Sequence, residues 1–171
     1  GPVSSIATLG LFRPGSFSNV TATTTGPAYD YVGPWGYTVI QGVQTGGSLA
    51  SLMAVDNDRL LDQLDELSPN GEIEFVGRST AATASEFRFK VVARASRTDM
   101  IQQIQLFNYT STAFETLDSR GSTLNDSTAE VVVTTNPARF IAGGDLTVKS
   151  RILWTPTAEV DGFDGWGTAV N

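Results

Sequence analysis

The ten residues Glu86–Ala95, EFRFKVVARA, alternate apolar and polar side chains and decide the fold class. The apolar phase holds Phe87, Phe89, Val91 and Ala93, and charged residues fill most of the opposite phase. Successive side chains of a strand point to opposite faces, so a period of two predicts a β-strand with one buried face.

The same rhythm returns near the end of the chain. Between Leu146 and Trp154 the apolar phase includes Val148 and Ile152, and Pro156 stops the strand. Trp154 shares this phase, so we expect it in the core. Two such strands predict that their apolar faces pack against each other across one hydrophobic core.

Further strands separated by turns complete the fold prediction. We predict strands at Tyr37–Val43 and Glu72–Arg78, and a hairpin pairing Ile104–Leu106 with Phe114–Leu117. Leu49–Leu67 is the plausible helical zone, and within it a strand at Arg59–Leu64 competes with a short helix. About seven to nine short strands predict an all-β fold, an antiparallel sandwich of jelly-roll or Ig-like type with at most one short helix.

The length of 171 residues favours one domain. Gly1-Pro2 is interpreted as the remnant of a cleaved tag. Residues 3–36, rich in Ser, Thr, Gly and Pro, are predicted to form an irregular leader with room for a short strand. A linker is the alternative for the leader, and residues 37–171 are assigned to the sandwich.

Composition narrows the function. The net charge is −7, and the 11 Lys and Arg residues form no cluster, which argues against nucleic acid as a partner. No apolar run approaches the roughly 18 residues of a membrane span, so membrane insertion is not expected.

Catalysis is not expected either. The chain contains no His and no Cys, so it lacks the usual general base near neutral pH and the thiolate nucleophile. An enzyme would need paired carboxylates, as glycosidases use. The acids between Asp56 and Glu66 are close in sequence, but such crowding is more typical of a solvated turn.

Several segments resemble a known family. They are Gly42–Leu49 with the following Asp56–Leu60, Ile104–Thr110, Asp126–Thr128, and Ala138–Ile141 with Val148–Trp154. Together they resemble an uncharacterised β-sandwich module of large secreted bacterial proteins that carry dockerin-like or other anchoring segments. The resemblance covers about Tyr37 to Trp166. It implies an extracellular or cell-surface location and neighbouring domains, and it assigns no functional residues.

Calcium is the candidate metal. Asp56, Asn57, Asp58 and Asp62 supply oxygen ligands close together in sequence, although their spacing does not fit an EF-hand loop. The alternative to a calcium site is that these residues form a turn and contribute surface charge. No cofactor other than a structural calcium ion is expected.

Carbohydrate is the candidate ligand, because sugar rings stack on exposed aromatic side chains while amides bind their hydroxyls. The candidate residues are Trp35, Tyr37 and Trp166, together with a hairpin strip of Gln103, Gln105, Phe107 and Tyr109. The alternative for each ring is packing in the core.

Two hypotheses of function follow. The first is a non-catalytic accessory or structural module of a secreted or cell-surface bacterial protein, in adhesion, spacing or assembly. The second is a carbohydrate-binding module that recognises a polysaccharide through exposed aromatics. The expected partners are accordingly a surface protein or a polysaccharide.

Overall fold

The two alternating segments that decide the fold lie in different sheets of one sandwich. The computed structural model describes residues 5–20, 34–53, 58–79, 82 and 86–157. Within them Glu86–Ala95 and Thr147–Pro156 are strands of two antiparallel sheets that share one apolar core. The predicted all-β sandwich is confirmed.

The described residues form ten strands, one more than the upper end of the predicted range. They are β1 (Ser5–Val20), β2 (Gly36–Gln41), β3 (Val43–Gly46), β4 (Leu60–Asp65), β5 (Gly71–Arg78), β6 (Glu86–Ala95), β7 (Met100–Asn108), β8 (Ala113–Gly121), β9 (Ser127–Val133) and β10 (Thr147–Pro156). Two single 3₁₀ turns, Leu49–Leu52 and Pro137–Phe140, complete the list.

Each sheet has five strands. Sheet A has the order β3-β4-β1-β6-β9, and sheet B has the order β2-β5-β10-β7-β8. The edge strands β2 and β3 follow one another through Gly42, so the chain passes from one sheet to the other at that side. The remaining two edges, β8 and β9, form the opposite side.

The core is built from the inward phases that the sequence predicts. Phe87 and Phe89 of β6 are fully buried, and Ile152 and Trp154 of β10 face them from the other sheet. The Trp154 indole Nε1 donates a hydrogen bond of 3.2 Å to Oε1 of Gln102. Trp154 is therefore a core residue, as predicted.

The predicted leader contains a central strand. β1 lies between β4 and β6 in sheet A, with Leu11 paired to Leu60 and to Ala93. The register of β1 against β6 shifts between Phe12 and Ser16. This bulge accommodates the Pro14-Gly15 pair, whose composition is typical of a turn and hides the strand from sequence reasoning.

In the zone that the sequence leaves undecided, the strand is the alternative that the structure contains. The zone starts with the 3₁₀ turn Leu49–Leu52, and its later part is strand β4. In the described part of the chain, no helix has the length and apolar character needed to cross a membrane.

Candidate functional site

The predicted hairpin strip lies on the outer face of sheet B. β7 alternates strictly, with Ile104 and Leu106 buried and Gln103, Gln105 and Phe107 half-buried on the opposite phase. β8 returns antiparallel, and Phe114 pairs with Phe107. The strip is thus a continuous polar and aromatic surface, as the period of two predicts.

The rings at the hairpin end form a cluster. The Phe107 ring lies 5.2 Å from Phe114 and 4.9 Å from Tyr109, both in edge-to-face geometry. Burial raises the pKa of the Tyr109 hydroxyl, and the charges of Asp145 and Glu74 add to the effect. The cluster is therefore partly desolvated, although it lies on the outside of the sheet.

Cations from β10 cover part of this cluster. The Arg151 guanidinium lies 4.1 Å from the centroid of Phe114, and the Lys149 ammonium lies 5.7 Å from that of Phe107. Both distances fit cation–π attraction. Since these ring faces contact cations of the same chain, they offer a ligand less open surface than a bare platform would.

A polar row crosses sheet B beside the rings. Cross-strand pairing aligns Glu74, Arg151, Gln105 and Thr116. Arg151 Nε donates to Oε2 of Glu74 at 2.9 Å, and Gln105 Nε2 donates to Oγ1 of Thr116 at 3.0 Å. The charged and amide groups of this row are mutually paired.

Trp35 and Tyr37 lie at the opposite edge of sheet B, where β2 is the edge strand. Trp35 directly precedes β2, donates its N–H to Val76 O at 2.9 Å, and keeps 58% of its surface exposed. Tyr37 is half-buried on the inward phase and packs against the core. Gln44 Nε2, on β3 of sheet A, donates a hydrogen bond of 2.9 Å to the Tyr37 hydroxyl.

The two groups of candidate sugar-binding residues are separated. β5 and β10 lie between β2 and β7, and three spacings of about 4.8 Å place the groups roughly 14 Å apart across the sheet. Trp166 lies outside the described residues. The structure therefore brings Gln103, Gln105, Phe107 and Tyr109 together, but not with Trp35.

The predicted calcium set is only partly described. Asp56 and Asn57 lie outside the described residues. Asp58 is exposed and accepts a hydrogen bond of 3.0 Å from Ser51 Oγ, whereas Asp62 is fully buried in β4. In the parts of the chain that the structure describes, no three acidic side chains come together as a metal site requires, and the four-residue set stays a prediction.

Asp62 is the most unusual acid among the described residues. It occupies the inward phase of β4 between Leu60 and Leu64, and among the described residues no hydrogen bond of ordinary geometry reaches either carboxylate oxygen. Burial raises the pKa of Asp62 to about 7, and the nearby Val43 N–H opposes this only in part. Sequence reasoning missed this environment, although the alternation of Leu60, Asp62 and Leu64 is its signal.

Gly42 closes the space beside Asp62. It adopts a φ of +100°, and a Cβ on this residue would lie 2.1 Å from the Asp62 Oδ1. The chain therefore crosses between the sheets directly against the buried carboxylate. A side chain larger than hydrogen cannot occupy position 42 without displacing Asp62.

Among the described strands, the edge strands of the two sheets differ in regularity. The pairings of edge strands β2, β3 and β8 with their neighbours each contain a register shift. β9 pairs with β6 from Ser127 to Val133 without one. Among the described strands, β9 is thus the edge strand with an uninterrupted register. No local sequence motif predicts this feature.

Acidic side chains occur along the β9 edge. The Glu130 carboxylate lies 3.5 Å from Arg88, and Asp126, at the start of the strand, lies 2.7 Å from Arg59 and 3.8 Å from Arg94. Arg88 and Arg94 lie on β6, the neighbour of β9, and Arg59 directly precedes β4. The carboxylates at the β9 edge are therefore paired with arginines from more central segments of the sandwich.

No protein-family model, curated protein or solved structure matches this chain.

Proposed function

We propose that the chain is a non-catalytic accessory or structural module of a secreted or cell-surface bacterial protein, serving adhesion, spacing or assembly. The observation that carries the proposal is the state of the described acids: several at the surface, Glu115 and Asp118 among them, are paired with arginines, and Asp62, whose pKa is strongly raised, is enclosed by the core. Function then depends on surfaces rather than on a reactive group.

The surface acids support this view through their contacts. Arg139 holds Glu115 by two hydrogen bonds of 3.0 and 3.1 Å, and these bonds lower the pKa of the carboxyl. Arg120 similarly holds Asp118 at 2.8 and 2.9 Å. Because its pKa is lowered, the Glu115 carboxylate is a poor proton donor near neutral pH.

Asp62 has the pKa of a general acid but not the access. Its relative exposure is 0%, and the backbone at Gly42 lies against its carboxylate. A general acid must reach its substrate within hydrogen-bonding distance or through one water molecule. In this position the raised pKa reports burial rather than catalysis.

Turnover assays test the proposal. The full chain, incubated with chromogenic glycosides, esters and peptides between pH 5 and 8, is expected to release no more product than buffer does. Asp62→Asn is the matched variant, because it removes the proton-transferring carboxyl and keeps the shape. Turnover by the wild type that disappears in Asp62→Asn would show that the module is an enzyme.

Carbohydrate binding is the second candidate, and the exposure of Trp35 favours it. An indole with 58% of its surface exposed can stack on a sugar ring. The amide-bearing strip of Gln103 and Gln105 adds a separate polar surface on the same sheet. The two surfaces predict two independent contacts rather than one binding platform.

Affinity electrophoresis in gels with soluble plant, algal or microbial polysaccharides tests this candidate. Retardation is expected to weaken in Trp35→Ala and in Phe107→Ala but not in Leu124→Ala, which removes an exposed apolar side chain elsewhere. Wild-type migration that no polysaccharide changes would exclude binding to the polymers used, and the structural role would stand.

A further inference from the structure

The β9 edge has the geometry of a strand acceptor. Its pairing with β6 is regular over seven residues, and Val, Thr and Ala make up most of its sequence. Ala129, Val131 and Val133 point into the core, while Thr128, Glu130 and Val132 are exposed. An added strand would therefore meet backbone groups with alternating side-chain environments, and at Thr128 it would replace the 3.4 Å hydrogen bond that Arg120 Nη1 donates to the carbonyl oxygen.

The other described edges are less suitable. A bulge bends its strand and disrupts the ladder locally, and β2, β3 and β8 each contain a register shift. β2 retains only the four residues Gly36–Val39 in regular pairing before its shift. Regularity thus singles out β9.

Charge indicates what such a strand carries. Glu130 lies at the centre of β9, and 33% of its side chain is exposed beside Arg88. A residue directly opposite it on an added strand would have its Cβ about 5 Å away, where opposite charges attract and like charges repel. Lys or Arg at that position complements the carboxylate, and the net charge of −7 favours a basic approaching segment.

A second copy of the chain fits this edge poorly. Antiparallel self-pairing centred on Glu130 uses all seven residues of β9 but sets Glu130 opposite its own counterpart. Pairing centred on Val131 keeps the same faces and avoids that contact, but it retains only residues 129–133. Self-pairing therefore meets like-charge repulsion or loses ladder length.

We propose that β9 accepts an extended segment of another polypeptide by strand addition, with a Lys or Arg facing Glu130 and β-branched apolar residues on the alternate, inward positions. This inference rests on the proposed role in assembly and names the kind of partner. The added segment extends sheet A to six strands and its inward side chains extend the core.

Synthetic peptides test the inference. The probes are the capped peptides TVTVKVTVT and TVTVEVTVT, titrated into the ¹⁵N-labelled full chain and followed by amide shifts and amide exchange. The Lys peptide is expected to shift and protect the amides of Ser127–Val133. It should bind roughly five-fold more tightly than the Glu peptide, a factor of the size that one cross-strand charge pair provides.

Charge reversal supplies the control. Glu130→Lys is expected to invert the preference so that the Glu peptide binds more tightly. Glu115→Lys on β8 changes an acid of similar exposure (37% of its side chain) on a bulged edge and should leave the preference unchanged. Native spectra of both variants establish that each is folded before titration.

Three results would overturn the inference: shifts that map to another edge, equal affinity for both peptides, or no shift at millimolar peptide. Concentration-dependent dimerisation with shifts in β9 would make a second copy the occupant and would also overturn it. None of these results produces enzymatic turnover, so a failure here is distinct from a failure of the proposed non-catalytic role.

Discussion

The β9 edge and the β2–β3 side show two different ways of ending a sheet. The β2–β3 side has no charged residue from Trp35 to Gly47 and exposes Trp35, Ile40 and Val43, but both of its strands are bulged. β9 is regular, but it has Glu130 at its centre. Natural sheets limit unwanted pairing by bulges or by charge, and each side uses one of them.

The β2–β3 side depends on a tight backbone crossover, which the β9 edge does not have. Its chain crosses between sheets at Gly42, against the buried carboxylate of Asp62. A tight backbone approach and a buried carboxyl group are both costly, whereas the regular edge needs only side-chain alternation. The comparison predicts that changes at the crossover have larger effects on stability than changes at β9.

Asp62→Asn should have the largest effect, and the effect should depend on pH. The folded pKa of about 7 exceeds the ordinary 3.8, so the folded state binds an extra proton between these values. The stability of the wild type relative to the variant should therefore fall as pH rises from 4 through 7, by roughly 4 kcal/mol in total. Urea denaturation at each pH measures it.

Asp99 provides a control of opposite sign. The hydrogen bond from Arg97 lowers the pKa of Asp99, so the stability of the wild type relative to Asp99→Asn should fall as the pH decreases. A difference between wild type and Asp62→Asn that stays constant from pH 4 to 8 would show that Asp62 does not titrate in this range.

Gly42→Ala should have the next largest effect. The φ of +100° is unfavourable for alanine, and the added Cβ would lie 2.1 Å from the Asp62 carboxylate. We expect a loss of about 2–3 kcal/mol in the free energy of unfolding. Gly36→Ala at the start of β2 is the matched control, because nothing lies within 4 Å of its Cβ position. Equal stability of the two variants would contradict the crossover model.

Glu130→Val removes the charge from the regular edge. The resulting strand is uncharged, β-branched and unbulged, so we expect concentration-dependent self-association stabilised by about 1 kcal/mol relative to wild type. Sedimentation velocity measures it. Ile40→Val on the bulged edge keeps an uncharged strand uncharged and should sediment as the wild type does. Self-association of both variants, or of neither, would remove the distinction between the edges.

Arg139→Met should have the smallest effect. Arg139 links the turn Pro137–Phe140 to Glu115 on β8, and because this pair is half-buried at the surface of the sandwich, its loss should cost about 1 kcal/mol. Because Arg139 lowers the pKa of Glu115, this contribution is present near neutral pH and decreases as the pH falls. Thermal unfolding of both proteins at pH 7 and pH 3 measures it.

The candidate site was only partly predictable from sequence. The grouping of Gln103, Gln105 and Phe107 follows from one strand's alternation, so it needs no tertiary information. The separation of Trp35 from that group depends on strand order. The cations over Phe107 and Phe114 come from β10, about 40 residues away in sequence, and only the register of three strands aligns them.

The sequence alone determined the all-β class, the strands β6 and β10, the β7–β8 hairpin and the burial of Trp154, because a side-chain period of two is a local property. Tertiary structure alone decided the central place of β1, the close approach of Gly42 to Asp62 and the regularity of β9. Each of these depends on which strands become neighbours, and hydrogen bonds between distant segments choose those neighbours. Local patterning shows which face of a strand is buried but not what lies beside it.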